Sequence, residues 1–234
     1  MGIKLQREKK RLLITSIFYR MIKLPLSSNK KLKLFLNLEW IFSRLAHEMS
    51  FKIYSPQTHP IRNYAKKFLL DVLDEQQSVL DLGCGSGDVS NIIAEKARTV
   101  VGIDHNEESL KIASDKYKRS NLTFIHEDAR TYLKTSDKFD VLILSHILEH
   151  LDDPKDFLQT FKDYFEYVYI EVPDFDRDVA NHYRKDLNME LIYSDNDHVS
   201  EFDRYELKDL INLCNLEILR EEYIFGVQRY WCKV

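Results

Sequence analysis

The chain has 234 residues, 44% of them hydrophobic and 31% charged, with a net charge of −4. That is enough apolar material for one core with elaborations, and no apolar run approaches the ~18 residues of a membrane span. Cys84, Cys214 and Cys232 are few, odd in number and without CxxC spacing, which argues against a disulfide framework and for a reducing, cytoplasmic setting. The N-terminus is basic, but no apolar stretch with a small-residue cleavage site follows, so no secretory signal is expected.

Charge is distributed unevenly. Residues 1–33 carry +9, with Glu8 as the single acid, and the remainder carries about −13. An acidic body tracks phosphates poorly, which argues against a nucleic-acid partner. The basic arm suits a membrane surface, nucleic acid or an acidic partner. Residues 1–24 place apolar residues at roughly helical spacing, and a second helical run extends from Lys31 to about Met49. Residues 1–55 therefore read as a basic helical extension. Its two helices suit packing on the domain or on a second copy in a homodimer, and the first suits peripheral membrane contact. Tyr54 and His59, before the core, are candidates for a lid.

A helix from Pro60 to about Leu73 opens the domain spanning 56–234. Strands then fall at 78–82, 99–104, 122–126, 139–145 and 167–172, with helices at about 87–97, 106–118, 129–134 and 154–165. This alternation is the signature of a doubly wound, mostly parallel α/β sheet. From about 174 to 202 the chain is polar and reads as an irregular insert. Asp203 caps a helix through Leu213. Two final strand-like runs, 216–225 and 227–233, meet at Gly226.

The stretch Ser78-Val-Leu-Asp-Leu-Gly-Cys-Gly-Ser-Gly-Asp-Val-Ser90 is the most informative. Gly83, Gly85 and Gly87 let the backbone bend sharply and approach a ligand. Asp81, at the strand end, would repel a pyrophosphate but suits an amine-bearing or cationic ligand. The spacing is GxGxG, not the GxGxxG of a nicotinamide fingerprint. The stretch resembles motif I of the class I S-adenosylmethionine-dependent methyltransferases. That resemblance covers about residues 60–234 and implies a seven-stranded sheet of order 3-2-1-4-5-7-6. It implies S-adenosylmethionine as cofactor, with Asp104 at the second strand tip on the ribose and His105 on the adenine ring. Asp128 and Ala129, after the third strand, resemble the adenine-binding pair, although Asp128 alone reads equally well as a helix cap. Ser145, at the end of the fourth strand, completes the cofactor set.

The fourth strand runs into Ser145-His146-Ile147-Leu148-Glu149-His150. In a helical turn His146, Glu149 and His150 would share one face, as residues holding a divalent metal do. The Glu-x-x-Glu-His of ubiquinone-biosynthesis O-methyltransferases and small-RNA 2′-O-methyltransferases is similar and implies Mg²⁺. Here His146 replaces the first Glu, which favours Mn²⁺, Fe²⁺, Co²⁺ or Zn²⁺. His198, in the insert, resembles the downstream fourth ligand. Without metal, His150 or His146 would serve as general base, or the cluster would be structural. Arg177, Tyr183, Arg184, Lys185 and Tyr193 are candidates to meet a polar acceptor, the two arginines through a phosphate or carboxylate.

The overall pattern resembles small O-methyltransferases of bacterial surface-polysaccharide and secondary-metabolite clusters. It implies O-methylation of a small polar acceptor: a sugar, a nucleotide-linked or a phosphorylated metabolite. An RNA 2′-O-methyltransferase and a nicotinamide-dependent oxidoreductase remain as alternatives.

Overall fold

The computed structural model describes residues 16, 19–55, 58–135, 138–192, 195 and 197–234. Most of the helix expected over residues 1–24 lies outside these, as does Tyr193. Of that first run, a short 3₁₀ turn at Met21–Lys23 is described.

Helix α1 spans Ser28–Ile53, starting three residues earlier and ending four later than its apolar spacing indicates. Ser27 sets its start, because its Oγ accepts from Lys30 N. Helix α2 spans Pro60–Val72, with proline in its first turn, where a missing N–H costs nothing.

Seven strands follow: β1 Ser78–Leu82, β2 Thr99–Asp104, β3 Leu122–His126, β4 Val141–Ser145, β5 Tyr167–Pro173, β6 Glu217–Ile224 and β7 Val227–Lys233. They form one sheet of order β3-β2-β1-β4-β5-β7-β6. The first five pair in parallel, and β7 runs antiparallel between β5 and β6. This is the topology that the methyltransferase resemblance implies.

Side-chain alternation divides the core between the two faces. Leu142 and Leu144 of β4 point to one, with α5 (Ala129–Thr135), α6 (Pro154–Phe161) and α8 (Arg204–Leu213). Val141 and Ile143 point to the other, with Phe68 and Leu69 of α2 and Ile93 of α3 (Asp88–Ile93). Burial on both faces explains why the central strands are continuous apolar runs. Helix α4, Glu107–Lys116, follows β2. Helix α8 starts on the expected Asp203 cap, with Glu206 closing a capping box.

The insert is not irregular throughout. It contains helix α7, Val179–Asp186, capped by Asp178. Its sequence is too polar for an apolar stripe to mark it. Arg184 holds it instead: that buried guanidinium donates to Leu36 O at 3.0 Å, to Asn181 Oδ1 at 3.0 Å and to the Glu39 carboxylate. Arg44 adds a 2.9 Å pair with Asp195. Polar contacts thus dock α1 against the insert.

Candidate active site

The parallel strands end together, and ligands of open α/β folds bind at that carboxyl edge. Asp81, at the end of β1, is 2% exposed and accepts from Ser90 Oγ at 2.5 Å. Burial outweighs that hydrogen bond, and with the nearby Asp104 charge it pushes the Asp81 pKa up to about 7. A buried carboxylate so destabilised is primed for a cationic partner.

Asp104 ends β2. Its Oδ2 accepts from Gly85 N and its Oδ1 from Asn106 N, both at 2.8 Å. It fixes the glycine turn and keeps further acceptor capacity for hydroxyl groups. Gly85 has φ +51, and a Cβ built there would meet nothing within 4 Å. Its outer face is open space, as a close-approaching ligand requires. Gly83 lies against Ile147 instead.

The adenine-side residues are more loosely placed. The His105 side chain is 95% exposed, so no packing holds it over a ring. Asp128 is exposed and accepts from Thr131 N and Oγ1 at 3.1 and 3.3 Å, capping α5, of which Ala129 is the first residue. Ser145 donates to Glu171 Oε1 at 3.0 Å.

His146 departs from the helical-face expectation. Its φ is +57, and the turn after it is a 3₁₀ turn over Leu148–His150. The ring lies between two carboxylates, with Nδ1 2.9 Å from Glu149 Oε1 and Nε2 3.5 Å from Glu171 Oε1. Desolvation works against the charge, but the two carboxylates outweigh it and push the His146 pKa up to about 10. Both ring nitrogens thus face carboxylates, an arrangement that favours the imidazolium over a base or a metal ligand. Burial likewise opposes the Glu171 charge, yet His146 and Arg229 hold its pKa down to about 2. Arg229, fully buried, donates to Glu171 Oε2 at 2.5 Å and to Glu222 at 3.1 Å. The sequence reading missed this network. Its visible signal was Glu171, a lone acid inside the apolar run Tyr167–Pro173.

Glu149, His150 and His198 do come together, with one ligand atom of each within 4.8 Å of the others. Glu149 is fully buried, and its Oε2 has no hydrogen-bond partner among the described residues. His198 Nδ1 lies 2.9 Å from Glu201 Oε1, the imidazole–carboxylate pairing that orients metal-binding histidines. His150 Nδ1 lies 3.3 Å from the Asp197 carbonyl, which leaves Nε2 as its donor atom. A buried carboxylate oxygen without a partner, flanked by two oriented imidazoles, fits a divalent cation of borderline softness.

Beside this cluster lies a cavity of about 280 Å³ between α1, the insert and the β6–β7 turn. His146 and His198 line one side; Trp40, Ser43 and His47 of α1 line another. Most of its charges are already paired: Glu39 with Arg184, Asp195 with Arg44, Asp174 with Arg204, and Glu201 with His198. Arg177 makes no side-chain ion pair or hydrogen bond among the described residues. It packs over Gly226, where an added Cβ would lie 2.7 Å from its Cδ. Of the two arginines expected at an acceptor, Arg184 is thus a structural tie, and Arg177 remains available. His59 is no lid either. It is 3% exposed, stacks on Phe51 at 4.3 Å and meets Ser50 Oγ at 3.0 Å, joining α1 to α2.

A family model described as a methyltransferase domain matches residues 57–221. YqeM of Bacillus subtilis (strain 168), named as a methyltransferase, is 37% identical over 101 residues, 42% of this chain and 41% of YqeM. The ubiquinone biosynthesis O-methyltransferase of Haemophilus ducreyi is 36% identical over 93 residues, 37% of this chain and 39% of that one. The chain therefore spans about two fifths of the length of these relatives. Among solved structures, a SAM-dependent methyltransferase from Archaeoglobus fulgidus aligns with a TM-score of 0.54 at 20% identity, covering 74% of this chain and 94% of that one. Magnesium protoporphyrin IX methyltransferase from Synechocystis PCC 6803, with bound SAH, gives 0.57 at 15% identity, covering 73% and 80%. At such identities these two likenesses are of fold. With its sheet order and the match over residues 57–221, the chain belongs to the methyltransferase-domain family, the class I S-adenosylmethionine-dependent methyltransferases.

Proposed function

We propose that the chain methylates an oxygen atom of a small polar acceptor bearing an anionic group, such as a phosphorylated or nucleotide-linked sugar of surface-glycan biosynthesis. The observation that carries this reading is the cavity beside the His146–His150 turn. At about 280 Å³ it sits near the lower end of ligand-pocket sizes, roughly 300–1,000 Å³, which suits a metabolite rather than a polymer. Within it Arg177 offers one cation for one phosphate or carboxylate.

Bound S-adenosylmethionine would supply the electrophilic methyl carbon. Asp81 offers a counter-charge for its ammonium group, Gly85 a close approach, and Asp104 acceptors for the ribose hydroxyls. A divalent cation held by Glu149, His150 and His198 would lower the pKa of an acceptor hydroxyl. In its absence, His150 would take the hydroxyl proton. His146, kept cationic by Glu149 and Glu171, stabilises negative charge nearby and accepts no proton. These residues mainly orient the acceptor for in-line attack.

Calorimetry with S-adenosylhomocysteine tests the cofactor half of the proposal, and one-to-one binding is expected. Transfer of labelled methyl to phosphorylated sugars and nucleotide sugars tests the acceptor half. Transfer to RNA alone, falling steeply with salt, would overturn it.

A further inference from the structure

Helix α1 has two distinct long faces. Leu36, Trp40, Ser43 and His47, spaced three or four apart, form the inner one: Leu36 is buried and the other three line the cavity. The outer face carries Ile41, Phe42, Leu45, Met49 and Ile53, exposed by 40, 63, 55, 50 and 75%. Five large apolar side chains in one stripe, about 18 Å long at 1.5 Å per residue, are more than scattered surface hydrophobes.

Cations outnumber acids along the helix: Lys30, Lys31, Lys33, Arg44 and Lys52 against Glu39 and Glu48. Of the two acids of α1, Glu39 pairs with Arg184, and Glu48 shares Arg44 with Asp195. Lys30 and Lys33 toward one end, and Lys52 toward the other, enter no ion pair among the described residues. Arg20 and Lys23 precede them, in a segment that also exposes Tyr19 and Ile22. A second copy of this helix would cover the apolar stripe but bring more cations than acids to the lysines. A lipid surface with anionic headgroups answers both features: the stripe enters the acyl boundary while the lysines meet the headgroups. No described helix is long and apolar enough to cross a membrane, so the contact is peripheral.

We propose that the outer face of α1 docks the protein on an anionic membrane surface. Docking does not depend on the methyl-transfer reading.

The test is flotation of the full chain with vesicles of phosphatidylcholine, alone or with about 40% phosphatidylglycerol. Partition to the anionic vesicles should be at least about tenfold stronger and should weaken sharply near 0.5 M salt. A Phe42→Ser/Leu45→Ser variant should lose at least about tenfold in partition, and so should Lys30→Glu/Lys33→Glu. Both variants should bind S-adenosylhomocysteine like the wild type, which reports an intact fold; should the first misfold, the lysine variant decides. Absence of partition, equal partition to neutral vesicles, or variants that partition unchanged would overturn the proposal. So would a dimer in sedimentation analysis that the Phe42/Leu45 substitutions convert to monomer.

Discussion

His146 Nδ1 lies 2.9 Å from Glu149 Oε1, and Glu149 Oε2 is left buried without a partner among the described residues. One carboxylate thus faces two tasks. Through Oε1 it helps hold His146 charged, and as part of the Glu149–His150–His198 group it is open to a cation. Burying an unsatisfied carboxylate oxygen costs free energy, which a bound metal would offset.

Metal retention tests this division. Wild-type protein dialysed against Mn²⁺ or Co²⁺ should keep about one ion per chain by elemental analysis. Glu149→Gln and His198→Ala should each weaken that affinity by about tenfold or more. His146→Asn should weaken it far less. A wild type that retains no ion would instead leave His150 with the role of proton acceptor.

The His146–Glu171–Arg229 network should matter chiefly for stability. Glu171→Gln leaves a buried Arg229 under-compensated, a change that costs about 3–5 kcal/mol in comparable buried pairs. The pH dependence follows from the two shifts. Glu171, depressed from 4.5 to about 2, contributes stability above about pH 4.5 that is lost as pH falls toward 2. His146, raised from 6.5 to about 10, contributes stability below about pH 6.5 that is lost as pH rises toward 10. The stability gap between wild type and His146→Asn in denaturant titrations should therefore narrow between pH 7 and 10.

Asp81 should make cofactor affinity depend on pH. Its pKa of about 7 in the ligand-free protein means that a cationic ligand must first ionise it at lower pH. Affinity for S-adenosylhomocysteine should rise from pH 6 to 8, approaching a limiting slope of about tenfold per unit below pH 7. Asp81→Asn should weaken binding and flatten that profile. For the ligand-free fold the sign is opposite: the raised pKa means stability present below about pH 4 and lost as pH rises through 7.

Arg177 and Arg184 should separate by phenotype. Arg177→Gln should raise the KM for an anionic acceptor by about tenfold, with kcat and cofactor affinity little changed. Arg184→Met should lower the melting temperature, because Arg184 joins α7 to Leu36 and Glu39 of α1. Equal effects of both on KM would place both at the acceptor.

The local sequence determined the fold and the methyl-donor end. Apolar runs bounded by Gly83–Gly87 and by acids at the strand tips are short-range patterns. Strand boundaries at 78–82, 99–104 and 122–126 agree with the structure because each is a short local run; the first two are largely buried and the third is only partly covered. Helix α7 was illegible because its anchor, Arg184, finds Glu39 across 145 residues. The surroundings of His146 were out of reach for the same reason: its ring meets Glu171 from a neighbouring strand. Sequence alone placed His146, Glu149 and His150 on one helical face. Tertiary structure turned His146 toward Glu171 and brought His198 to Glu149 and His150, because contacts between distant segments, not helical spacing, decide which donors meet.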